Sequence, residues 1–96
     1  MQLIGTLKFS SPVNREYSSS AVMQPLGQHE STMELYQNEP NRYWIEWDIP
    51  TLEESYEIGI WCENGVLEDY DGLFSLPKQA IELLRAHGIT VPGEFE

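Results

Sequence analysis

Tyr43-Trp44-Ile45-Glu46-Trp47-Asp48-Ile49, followed across an acidic loop by Tyr56-Glu57-Ile58-Gly59-Ile60-Trp61-Cys62-Glu63, carries the pattern on which the fold turns. Side chains alternate between the two faces of a strand, so Tyr43, Ile45, Trp47 and Ile49 share one face and Trp44, Glu46 and Asp48 the other. The second run repeats the pattern, with Tyr56, Ile58, Ile60 and Cys62 against Glu57, Gly59, Trp61 and Glu63. Two half-buried strands of one hairpin are therefore expected. With Pro50 to Ser55 as the loop, Ile49 faces Tyr56, Trp47 faces Ile58, Ile45 faces Ile60 and Trp44 faces Trp61. A slip of one residue would turn one apolar set to water and is costly, whereas slips of two leave both sets on one face and stay open.

Further strands extend this hairpin in both directions. Met1 to Phe9 alternates Leu3, Leu7 and Phe9 with Gln2, Thr6 and Lys8, although Ile4 blurs the pattern. Ser10 to Ser20 has no periodicity and many turn formers, which predicts a long flexible loop. Ala21 to Met23 reads as a short strand ended by Gln24-Pro25-Leu26-Gly27. Thr32 to Gln37 sets Met33 and Leu35 against Glu34 and Tyr36, before the turn formers Asn38-Glu39-Pro40-Asn41. Beyond Cys62, Asn64-Gly65 fits a two-residue type I′ turn, whose central residues both need positive φ, so Val66 to Tyr70 should fold back on the preceding strand.

After Asp71-Gly72 the period changes. Ala80, Ile81, Leu83, Leu84 and His87 fall at helical spacing, with Ser75 as cap and Pro77 in the first turn. Gly88 at C′ would bring Leu84 and Ile89 together in a Schellman ending. The expected fold is α+β: an antiparallel sheet of about four or five strands with the helix Leu76 to His87 packed on one face. A short edge strand at Ile89 to Val91 would precede Pro92-Gly93.

The chain of 96 residues has room for one domain, 1–96, in which only about 60 to 65 per cent of the unfolded surface is buried. No apolar run approaches the roughly 18 residues of a membrane span, Met1 to Gly5 lacks a signal-peptide pattern, and the single cysteine forms no internal disulfide. A cytoplasmic location is the expectation. The net charge of -11 opposes direct binding to nucleic acid and to anionic membranes. It favours a basic partner, because no Lys or Arg occurs from Tyr43 to Pro77 while nine carboxylates do. An acidic balance that only keeps the protein soluble is the competing explanation.

Catalytic chemistry finds little support in the sequence. Cys62 is expected to face the core, His87 to end the helix and His29 to lie in a loop, so none has a triad partner at a recognised spacing. Asp69-Tyr70-Asp71-Gly72 fits the third to sixth positions of a calcium loop, but Leu67 and Lys78 would then occupy the first and twelfth, which excludes an EF-hand. A looser site from Glu68, Asp69 and Asp71 competes with a plain turn. Glu46 and Asp48 on an open face are expected to stay ionised rather than act as acid and base. No Gly-rich phosphate loop, zinc cluster or nucleotide fingerprint is present, so no catalytic, cofactor or metal residue is assigned.

The leading expectation is a non-enzymatic binding or regulatory protein that uses an acidic and aromatic surface on a basic protein, either a toxin-like nuclease or a nucleic-acid-binding protein deceived by charge mimicry. Its strand residues are Trp44, Glu46, Asp48, Glu57, Trp61 and Glu63. Glu68, Asp69 and Tyr70 follow from the last strand. Aromatic residues anchor interfaces and charge speeds association; the plainer alternative is that Trp44 and Trp61 only stabilise the hairpin. Two other classes stay open: a small enzyme or small-ligand module with a pocket between the sheet and the loop Ser10 to Ser20, and a homodimer formed through a sheet edge or the tryptophans.

Overall fold

The computed structural model describes the backbone of residues 1–17 and 20–96 and the side chains of residues 1–12 and 27–96. Five strands, β1 (Gln2–Tyr17), β2 (Ser20–Glu39), β3 (Arg42–Ile49), β4 (Glu54–Glu63) and β5 (Val66–Asp71), precede one helix, α1 (Lys78–Ala86). The strands form one antiparallel sheet in the order β1-β2-β3-β4-β5, each paired with its sequence neighbour. The α+β architecture expected from the sequence is the one observed.

Parity places the core. Leu35, Ile45 and Ile58 stand directly opposite one another on β2, β3 and β4, and all three are completely buried. Met33, Ile60 and Leu67 join them on this inner face, where Leu76, Ala80, Ile81, Leu83 and Leu84 from α1 and its approach complete the cluster. Leu7 and Phe9 reach it from β1, and so does Ile4. The break that Ile4 makes in the alternation is a β-bulge between the Leu3 and Gly5 pairs, which inserts one extra residue at the sheet edge.

The turns follow their residues. Asn64 and Gly65 have φ of 53° and 79°, the left-handed pair that a type I′ turn demands. At the end of α1, Ile89 N–H donates to Leu84 O and Gly88 N–H to Arg85 O, which is the Schellman arrangement with Leu84 and Ile89 both buried. The segment beyond it pairs with β5 at a single parallel bridge, Val66 with Thr90, and Arg85 fixes it by donating to Val91 O and pairing with Glu96.

Four expectations need correction. First, the β3–β4 register differs by two residues: Ile49 faces Glu54, Trp47 faces Tyr56, Ile45 faces Ile58 and Trp44 faces Gly59. The cause is the connection, which Pro50–Leu52 closes as a 3-10 turn with Glu53 left-handed at φ 53°; four residues then suffice where Pro50 to Ser55 would use six. Second, Ser10 to Ser20 is not a loop over its described length, since β1 continues to Tyr17 and β2 begins at Ser20; residues 18 and 19 lie outside the described residues. Pro12 lies on an edge strand, the place in a sheet where proline is tolerated. The alternation fails because β3 pairs β2 only from Thr32 to Glu39, so the ribbon beyond is not required to present one apolar face to a core. Third, β2 does not stop at Gln24 to Gly27 but runs through it, with a register shift opposite Val13 and Asn14.

Fourth, α1 begins at Lys78, not Leu76, and Ser75 makes no cap. Proline disfavours helical geometry in the residue before it, and Leu76 is drawn into the core instead. The helix stops at Ala86, and His87 follows as its cap, with its ring packed so closely on Gly5 that a β-carbon there would collide with it.

Ile58→Ala should lower the unfolding free energy in urea by about 2 to 5 kcal/mol, because a fully buried side chain is replaced by a cavity. Phe74→Ser, at a position 95% exposed, should change it by less than about 0.5 kcal/mol.

Candidate functional site

The residues that alternate with the core form the outer face of the sheet, opposite α1. Glu34 on β2, Glu46 on β3 and Glu57 on β4 are direct cross-strand neighbours, so three carboxylates lie in one row. Side chains so placed have β-carbons about 4.5 to 5.5 Å apart, and like charges there repel. Thr32, Asp48 and Ser55 form the next row on one side. On the other side the row is apolar and aromatic: Leu3, Tyr36, Trp44 and Gly59, ending at Asp71 on β5. The carboxylates therefore adjoin an aromatic strip along its length.

Tyr36 records this field. Its hydroxyl donates to Glu34 Oε2 at 3.3 Å, and its pKa is raised above the ordinary 10.0, by burial first, then by the charge and hydrogen bond of Glu34, with Glu46 and Asp48 adding to it. The neutral phenol is favoured wherever nearby carboxylates would repel a phenolate.

Gly59 gives the aromatic end its shape. A β-carbon on it would stand 3.0 Å from Trp61 Cη2, so the Trp61 indole lies across this outer position, which has no side chain. Trp44 flanks Gly59 from β3 and Asp71 from β5, while Glu57 and Trp61 flank it along β4. The two tryptophans are thus not cross-strand partners as expected, since Trp61 faces Arg42 and Asp69; both border one depression of about 350 Å³ around Gly59, which Met1, Arg42, Glu57 and Asp71 also line. Trp44 Nε1 is covered and has no hydrogen-bond partner.

Of the residues picked out from the sequence, Trp44, Glu46, Asp48, Glu57 and Trp61 share the outer face, and Asp69 stands beside them opposite Trp61. Glu63 and Glu68 lie apart, next to the Asn64-Gly65 turn, where a register shift between the Asp69 and Leu67 pairs sets Glu68 in a bulge. A hydrogen bond to Glu63 that the protonated form makes, with the charge of Glu63, raises the Glu68 pKa above 4.5. Tyr70 is placed elsewhere: it pairs with Ile60, packs against the core, meets Phe95 edge-on at 5.9 Å and donates to Phe74 O. Glu34, Tyr36 and Gly59 are not among the residues the sequence singles out, and Asp71 enters there only as a candidate calcium ligand; the alternation of Glu34 and Tyr36 with Met33 and Leu35 is the signal for two of them.

The other candidate chemistries gain no geometry. Asp69 and Asp71 each accept a backbone N–H from the next residue, and among the described residues no group of three His, Cys, Asp or Glu could hold a metal ion. Cys62 is buried, and burial pushes its thiol pKa up, away from nucleophilic use. His29, expected in a loop, lies on β2 opposite Ser11 and shares a hydrogen bond of 2.7 Å with Thr51 Oγ1. No helix among the described residues is long and apolar enough to cross a membrane. No family model, curated protein or solved structure matches this chain.

Two predictions follow from the charges. Glu46→Gln, at the middle of the row, should stabilise the fold by about 0.2 to 1 kcal/mol at low salt and less at 1 M salt; spectrophotometric titration should find the Tyr36 pKa lowered toward 10.0. For Glu68 the folded pKa is the higher one, so its contribution to stability is present in acid and lost as pH rises through that value. Glu68→Gln should therefore raise Tm at neutral pH and give no gain near about pH 3, where carboxyls are largely protonated.

Proposed function

We propose that this protein is a non-enzymatic binding protein whose outer sheet face engages a basic protein, of the kind a nuclease or another nucleic-acid-binding protein presents at its phosphate site. The observation that carries the reading is the row Glu34–Glu46–Glu57 set beside the strip Leu3–Tyr36–Trp44, on the face that α1 leaves uncovered. Carboxylates in such a row repel one another, and a cationic surface laid over them removes that repulsion while the aromatic strip supplies contact area. The net charge of -11 adds long-range attraction for the same class of partner. A cytoplasmic location belongs to this reading, in keeping with the free, buried Cys62.

A second reading, a small polar ligand, rests on a depression of about 400 Å³ where β1 and β2 leave the body of the sheet, lined by Lys8, Phe9, Ser10, Glu30, Ser31, Thr32 and Pro50. Ser31 is 3% exposed and its Oγ has no hydrogen-bond partner, so a ligand atom would satisfy it. The acidic face is favoured because its residues are drawn from three adjacent strands and share one chemical character.

Immobilised protein should retain a basic protein from a lysate of its native host and release it as salt is raised. Glu57→Lys or Trp44→Ala should abolish retention; a bound protein indifferent to both substitutions would place the interface elsewhere.

A further inference from the structure

We propose that the depression around Gly59 receives one arginine side chain of the basic partner, held between the indoles of Trp44 and Trp61 and paired with Glu57 and Asp71. The inference rests on the reading of the outer face given above and assigns the residue type recognised at its aromatic end. Gly59 is the centre of a cross. Trp44 and Asp71 stand on either side of it through strand pairing, and Glu57 and Trp61 stand two residues before and after it on the same face. The Trp61 ring lies over Gly59 where a side chain would stand, and the depression of about 350 Å³ beside it is bordered by both indoles and by Glu57 and Asp71.

That combination matches a guanidinium group better than any other protein side chain. Its planar cation stacks on indole faces, its fork of donors suits carboxylates, and it is less strongly hydrated than an ammonium group, so it loses less on entering an aromatic site. Arg42 also borders the depression, but its guanidinium is drawn toward Glu39, with its Nε 3.9 Å from Glu39 Oε2 and its side chain 58% exposed, and not toward Glu57 or Asp71. An anionic or neutral ligand would leave Glu57 and Asp71 uncompensated, and a lysine would satisfy the charge without using both rings.

The test compares two peptides of equal charge, acetyl-Lys-Gly-Arg-Gly-Lys-amide and acetyl-Lys-Gly-Lys-Gly-Lys-amide, titrated into the full chain and followed by the indole N–H resonances of Trp44 and Trp61. The arginine peptide should bind about tenfold more tightly, the scale of a partly desolvated cation–π contact. Trp61→Ala should erase the preference by weakening the arginine peptide more than the lysine peptide. Because Trp61→Ala also uncovers Gly59, Glu57→Gln and Asp71→Asn serve as variants of unchanged shape; the latter keeps the Oδ1 that accepts Gly72 N–H. Each should reduce the preference. Equal binding of the two peptides, weakened by Glu46→Lys, would overturn the arginine site and leave the acidic-face reading standing. If neither peptide moves an outer-face resonance, the arginine site is likewise overturned, and the acidic-face reading then depends on the Glu57→Lys capture experiment alone.

Discussion

Everything else in the molecule depends on the burial of one cross-strand row, Leu35–Ile45–Ile58, beneath the apolar side of α1. Burying a side chain of this size stabilises a fold by about 1.5 to 3 kcal/mol, and parity transmits the consequence along three strands. Once these residues point inward, Tyr36, Trp44 and Gly59 on one side and Glu34, Glu46 and Glu57 on the other must point outward. The character of the outer face is thus fixed by the core, although no outer residue contributes to it. A single-residue slip would invert every strand it touched, which is why the row tolerates none.

The same parity explains what could be read from the sequence and what could not. The type I′ turn was legible because only residues tolerant of positive φ fit it, and Asn64-Gly65 supplies them side by side. The Schellman end of α1 was legible for a similar reason, from Gly88 with apolar residues at the two required offsets. The β3–β4 register was not, because a shift of two residues leaves inner and outer sets unchanged and only the turn decides between the options. Pro50–Leu52 forms a 3-10 turn completed by left-handed Glu53, a conformation that the residue type does not announce. The face of each candidate residue on β3 and β4 therefore followed from sequence, but its neighbours did not: Trp44 and Trp61 became a pair around Gly59 instead of opposite each other. Tyr70 was misjudged in its setting because its aromatic ring belongs to the inner alternation of β5. The ribbon at Ser10 to Tyr17 escaped for another reason, since a strand without a core behind it carries no pattern to read.

Magnitudes show how readily the fold bears the acidic row. Two adjacent like-charged pairs, Glu34 with Glu46 and Glu46 with Glu57, each cost about 0.2 to 1 kcal/mol, well below what one buried Ile supplies. The fold therefore bears the row easily. Solubility alone, however, is served by carboxylates at any exposed position, and spreading them would avoid the repulsion. Here they are directly opposed on three strands and bordered by an aromatic strip, which raises local potential and apolar area together. On the reading proposed above, the second supplies contact area to the partner.

Gly59 carries this argument to its smallest scale. In the interior of a strand glycine is unfavourable by roughly 0.5 to 1 kcal/mol relative to alanine, and the Trp61 indole lying over it returns part of that cost by shielding the backbone. If shielding were the whole explanation, the neighbouring outer positions could hold any residue. They hold Trp44, Glu57 and Asp71, an aromatic ring and two carboxylates that border the same depression. Cover for a glycine needs one ring; the arginine site proposed above would use the second ring and both carboxylates as well.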